Sequence, residues 1–231
     1  MKKFGDSASG IVYAVLAVVG IFLLIQESIT EATDEEILSH YADSGNRTGE
    51  IVGFILVTVG VMFFLWFLSV LRSRLGSIEH EPGTLSTLAF GAGVTAAGLL
   101  VGTAALLVGT SFATELSSDF VVDPNLARFA VSTGFVLLFG SVLVSFALVI
   151  ATSVLALRTK VLPNWLGWVG FAAVVLAIVE SILLPVFVIP AWVVVVSIVL
   201  MKGTPTSRPQ AREPVVQERG PVAQEREPVA R

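Results

Sequence analysis

Leu85–Ala113 reads LSTLAFGAGVTAAGLLVGTAALLVGTSFA. It is apolar and uncharged, and it exceeds the roughly 20 residues a helix needs to cross a bilayer. Small residues recur at Gly91, Thr95, Gly98, Gly102, Ala105 and Gly109. Positions three and four apart share a helix face, and small side chains there let a neighbouring backbone come close. The stretch is therefore expected to be the helix other spans pack against, with Gly91, Gly98, Gly102 and Gly109 as its packing face. Homodimerisation through the same face is the alternative use of such a stripe.

The composition around it points the same way. Of 231 residues, 55% are hydrophobic and 14% charged, with a mean hydropathy of +0.87. Soluble domains carry about a quarter charged residues. The apolar runs do not alternate with polar residues, which argues against a membrane β-barrel. There is no cysteine, so disulfides, thiolate metal sites and thiol nucleophiles are excluded. The fold class expected is an all-α polytopic bundle of six transmembrane helices with both termini cytoplasmic.

Six spans are expected at about 11–26, 51–71, 85–113, 126–157, 165–184 and 187–201, together forming a bundle over 11–201. Residues 1–10 are a cytoplasmic N-terminus. The first apolar run is longer than a signal-peptide core of about 7–15 residues, so it reads as a retained span. Residues 27–50 form an acidic external loop, with Glu27, Glu31, Asp34, Glu35, Glu36, Asp43 and Glu50 against the single base Arg47. Thr33-x-x-Glu36 reads as a capping box opening a short helix. Ile37, Leu38 and Tyr41 are expected on one side of it, resting on the membrane surface. Asp123-Pro124 reads as an N-cap followed by proline at the first helical position. Pro185 and Pro190 are expected to bracket the reversal between the last two spans. Residues 202–231 carry a seven-residue repeat (Arg212-Glu-Pro-Val, Arg219-Gly-Pro-Val, Arg226-Glu-Pro-Val) and read as a disordered cytoplasmic tail.

Orientation follows from the basic residues, which collect on the cytoplasmic side of short loops. With the N-terminus inside, Lys2, Lys3, Arg72, Arg74, Arg158, Lys160, Lys202 and the tail arginines are cytoplasmic, and only Arg47 and Arg128 are outside.

Three segments, ILSHYADSGNR, FFLWFLSVLRSRL and VLPNWLGWVG, give the region Ile11–Lys202 a resemblance to uncharacterised actinobacterial six-helix integral membrane proteins of the domain-of-unknown-function type. The resemblance implies a multi-pass protein of the bacterial plasma membrane. It implies no activity.

Glu180 is the acid deepest in an apolar run, and an ionised group at mid-membrane costs about 2.5–3.5 kcal/mol. Glu180 with Thr95, Ser141 and Ser145 is therefore the candidate intramembrane site. Glu36 and His40, four apart, could share a helix face, but an acidic run without convergent ligands is not a metal site, and none is assigned. No H-x-x-x-H pair, G-x-S-x-G elbow, Walker-type loop or nucleotide fingerprint occurs, so no enzyme activity, cofactor or nucleic-acid partner is expected. The sequence reads as a non-enzymatic accessory or scaffold membrane protein. Its expected partners are the bilayer, a second copy through the third span, and a cytosolic protein at the tail. A small proton- or cation-linked transporter using Glu180 is the alternative.

Overall fold

The computed structural model describes residues 2–25, 31–77, 79, 83–159, 163–180 and 187–202, without the side chains of residues 2–7, 159, 179 and 180. The fold is all-α, with seven helices among the described residues: α1 (Lys2–Leu24), α2 (Asp34–Ala42), α3 (Ser44–Gly76), α4 (Thr84–Leu116), α5 (Pro124–Thr159), α6 (Asn164–Glu180) and α7 (Val188–Lys202). Within α3, α4 and α5, the stretches Ser44–Gly76, Thr84–Leu116 and Pro124–Arg158 are long and apolar enough to cross a membrane. The apolar parts of the other three large helices, Ala8–Leu24, Asn164–Ile178 and Val188–Lys202, are shorter.

Local chemistry sets several helix ends. At α2, Thr33 N–H donates to Glu36 Oε2 at 2.7 Å, and Glu36 N–H donates to Thr33 Oγ1 at 3.3 Å, a reciprocal capping box. Hydrogen bonds from Thr33 hold the exposed Glu36 carboxyl below its ordinary range. Asp123 caps α5 through the amides of Asn125 (2.8 Å) and Leu126 (3.3 Å). At α4 the cap is non-local. Glu79 accepts from the Leu85 amide at 2.8 Å and the Ser86 amide at 2.9 Å, while Gly83 turns the chain with φ 66°. Pro190 lies in the first turn of α7, where its missing N–H leaves no bond unmade. Pro185 and the tail repeat lie outside the described residues.

Each helix packs beside its neighbours in order. α1 lies between α7 and α3, α4 between α3 and α5, and α6 between α5 and α7, so the six large helices close a ring. The outward faces are apolar, with Phe22, Met62, Val136 and Trp168 exposed, a surface compatible with a hydrocarbon surrounding.

Helices α1 and α3 approach closely through glycines. A Cβ added at Gly20 would stand 2.7 Å from the Gly53 carbonyl oxygen, and one at Gly53 would stand 2.7 Å from that of Gly20. Gly60 continues the same face against Leu16 and Ala17. This corrects the expectation for α4. A Cβ at Gly91, Gly98 or Gly109 would meet nothing within 4 Å, so these glycines do not face a neighbouring helix; only Gly102 of the four meets one, at Leu137, 3.3 Å away. The buried side of α4 is instead Ala89, Gly93, Ala96, Leu100, Thr103, Leu107 and Thr110. It has the same 4-3 spacing as the glycine stripe but is offset by two residues, about 200° around the helix. Thr103 Oγ1 donates to Gly134 O at 3.2 Å and Ser141 Oγ to Ala96 O at 2.8 Å, joining that side to α5.

Candidate functional site

The sequence-derived intramembrane site does not assemble among the described residues. Thr95 is exposed and donates to Gly91 O of its own helix at 3.0 Å. Ser141 and Ser145 are buried, but their hydroxyls are committed to backbone carbonyls, Ala96 O and Ser141 O, each at 2.8 Å. Both line a small cavity of about 40 Å³ at the ring centre, with Tyr13, Phe64 and Leu100. Glu180 closes α6, and its side chain lies outside the described residues.

The ionisable groups that do converge lie where α2 crosses the ring. Helix α2 is too short to be stable alone, so its position depends on tertiary contacts. Ile37 and Tyr41 provide them, at 0% and 2% exposure, inserted against the ends of the bundle. Leu38 is turned outward and is 45% exposed, so it does not share their side as expected. The apolar face of α2 thus rests on protein rather than on the membrane surface.

Two arginines clamp this helix. Arg128 of α5 donates to Asp34 Oδ1 at 2.6 Å and to Ala32 O at 2.8 Å, near the start of α2. Arg47 of α3 donates to the carbonyls of Tyr41 (2.6 Å) and Ala42 (2.9 Å) at its end, and to Glu115 of α4 at 2.7 Å. A cation at a helix C-terminus also meets the negative end of its dipole. These are the two bases placed outside by the charge count, and both hold α2 down.

Beneath α2 lies a buried polar chain. His40 Nε2 and Glu50 Oε1 are 2.8 Å apart, with side chains 4% and 3% exposed. Ser111 Oγ of α4 donates to the other carboxylate oxygen, Glu50 Oε2, at 2.5 Å. Asn46 Nδ2 donates to His40 O at 3.4 Å and faces His40 Nδ1 at 3.3 Å. An amide N–H at Nδ1 makes that nitrogen the acceptor, so Nε2 carries the proton donated to Glu50. His40 therefore pairs with Glu50, ten residues on, and not with Glu36, whose carboxylate is used by the capping box. Tyr41 is adjacent and bonds Thr110; burial, and then the charge of Glu50, push its hydroxyl up to about 12.

On the solvent side, His40 and Asn46 border an open groove with Glu31, Glu36 and Asp43. The chain of groups thus runs from an acidic surface through an imidazole to a buried carboxylate and a serine hydroxyl. Such a chain can hold or pass a proton and can latch α2. No group of three or more metal-ligating side chains occurs among the described residues.

Tyr41 gives the latch an alkaline limit. Its folded pKa is raised above the unfolded value of about 10, so its contribution is complete below pH 10 and fades as pH rises toward 12. Stability in detergent measured across pH 9–12 should fall for the native chain, and less for Tyr41→Phe.

Sequence reading missed this site because its members are ten and sixty-one residues apart. One signal was available: Glu50 continues the Gly53, Val57 and Gly60 face of α3, which is the packed face. In comparisons with known proteins, no family model, no curated protein and no solved structure matches this chain.

Proposed function

We propose that this chain is a six-span protein of a bacterial plasma membrane, with both termini cytoplasmic, acting as a non-enzymatic accessory or scaffold. The observation that carries the reading is the filled ring: its central cavity of about 40 Å³ has room for only a few waters, and α2 is clamped over one end. Helices α1, α6 and α7 are the remaining spans, shorter than α3–α5 and flanked by Lys2, Lys3, Trp165 and Lys202 as boundary residues. The open glycine stripe of α4 supports a second copy as partner, since unoccupied small residues let another helix approach closely. The tail is the site for a cytosolic partner.

Because the chain has no cysteine, single cysteines report topology cleanly. Ser117→Cys should react with an impermeant maleimide in intact cells, and Ser207→Cys only after lysis. Labelling of both in intact cells would end the six-span reading. Proteoliposomes of the native chain should show no proton flux above empty vesicles.

A proton-linked transporter is the second reading, supported by the buried His40–Glu50 pair, with Glu180 ending α6 on the same side of the bundle. Flux that Glu50→Gln or Glu180→Gln abolishes would establish it in place of the scaffold.

A further inference from the structure

At the end of the bundle remote from α2, α3 and α4 part to leave a groove of about 580 Å³. Its walls are one face of each helix, and among the described residues its lining holds no carboxylate. It presents Arg72, the hydroxyls of Ser69, Ser73, Ser86 and Thr87, and the ring of Phe90. The Ser69 and Ser86 hydroxyls are committed to Leu65 O and Gly83 O of the backbone. Those of Ser73 and Thr87 are exposed and available as donors.

Arg72 differs from the two arginines at the opposite end. Arg47 and Arg128 each meet a carboxylate, whereas Arg72 sits 4.9 Å over the Phe90 ring and has no ion pair among the described residues. The ring holds the guanidinium in place without neutralising it. The neighbouring acid, Glu79, accepts from the Leu85 and Ser86 amides. Those bonds outweigh its desolvation and keep its carboxyl below the ordinary range, so it remains an amide cap.

The groove also lies at a particular depth. Met62, Trp66 and Leu88, on the same two helices, are 66%, 58% and 49% exposed, so the outer surface beside the groove is apolar. A guanidinium and hydroxyls where an apolar, aromatic-flanked surface ends lie at the level of lipid headgroups. A polar lining there needs polar partners, and the fixed cation selects an anionic one.

We propose that this groove binds the phosphate of an anionic phospholipid, with Arg72 supplying the charge, Ser73 and Thr87 the hydrogen bonds, and Phe90 and Leu88 the surface for the start of the acyl chains. The site requires that the bundle is embedded in lipid. It is independent of the direction of insertion and of the scaffold reading.

Native mass spectrometry of the full chain in detergent, titrated with phosphatidylglycerol or phosphatidylcholine, tests it. Phosphatidylglycerol should be retained in preference. Arg72→Gln should weaken its binding about five-fold, the effect of one basic side chain near an anionic surface. The Ser73→Ala/Thr87→Ala double variant should weaken it less, and Arg74→Gln should leave it unchanged. Millimolar glycerol phosphate should not compete. No lipid preference in the native chain, an Arg72→Gln variant that binds as the native chain does, or equal losses at Arg72 and Arg74 would overturn the site. Competition by glycerol phosphate would overturn the lipid as its occupant. Arg72, Ser73, Arg74 and Thr87 are all exposed, so these variants should fold. An unchanged thermal midpoint for Arg72→Gln shows that a loss of lipid is not a loss of fold.

Discussion

His40→Ala is expected to destabilise the bundle by about 3 kcal/mol, the cost of taking a hydrogen-bond donor from a buried carboxylate. The substitution leaves the Glu50 carboxylate, which is buried in the native chain, with Ser111 as its hydrogen-bond donor. It also removes one of the hydrogen bonds that join α2 to α3. The double variant His40→Ala/Glu50→Gln separates these effects. An amide in place of the Glu50 carboxylate carries no charge, so about half or more of the loss should return if the stranded carboxylate dominates. Glu50→Gln alone should cost only about 1 kcal/mol, because an amide can still accept from His40 and meet the Ser111 hydroxyl. Thermal or denaturant stability in detergent reads all three. A double variant as unstable as His40→Ala would show that lost packing of α2, and not the buried charge, is what matters.

The second large effect lies at the crossing of α1 and α3. Gly53→Leu places side-chain atoms within 2.7 Å of a backbone carbonyl that has no rotamer to move away. Overpacking of this kind costs about 1–3 kcal/mol where side chains can adjust, and more where a helix axis must shift. Gly53→Leu is therefore expected to lower the yield of folded protein sharply, with Gly53→Ala already costing about 2 kcal/mol. Gly98→Leu is the informative contrast, because its added atoms meet open space. It should leave the fold of the single chain intact and, where two copies associate through α4, abolish the dimer. A Gly98→Leu chain that fails to fold would mean that α4 packs inward on its glycine stripe.

Different parts of the molecule are legible in the sequence to different degrees. The caps at Thr33–Glu36 and Asp123 are readable because donor and acceptor lie within three residues, so local geometry decides them. The start of α4 is not, because Glu79 reaches across a turn to the amides of Leu85 and Ser86. The packing side of α4 is misread for a physical reason. The helix carries two stripes of equal period on opposite faces, one of glycine and one mostly of alanine, leucine and threonine, and neither is charged. In lipid a helix face is not driven inward by its apolarity, so periodicity shows that a face exists without showing which way it points.

The candidate site shows the same division. Sequence reading groups Glu50 with six other loop acids, yet α3 starts at Ser44, and Glu50 falls on its buried side. The i,i+4 spacing sets His40 beside Glu36, a relation a helix does provide, but Glu36 is used by the cap and His40 faces across to α3.

By itself the sequence determined an all-helical, lipid-compatible chain, the apolar runs that become its long helices, and the local caps that begin two of its helices. These depend on composition and on neighbours within one turn. Only the tertiary structure decided the order of the ring, the Gly20–Gly53 approach, the outward turn of the α4 glycines and the burial of His40 with Glu50 and Ser111. Each of these is a choice among helix faces, and that choice is made by the partner helix rather than by the helix itself.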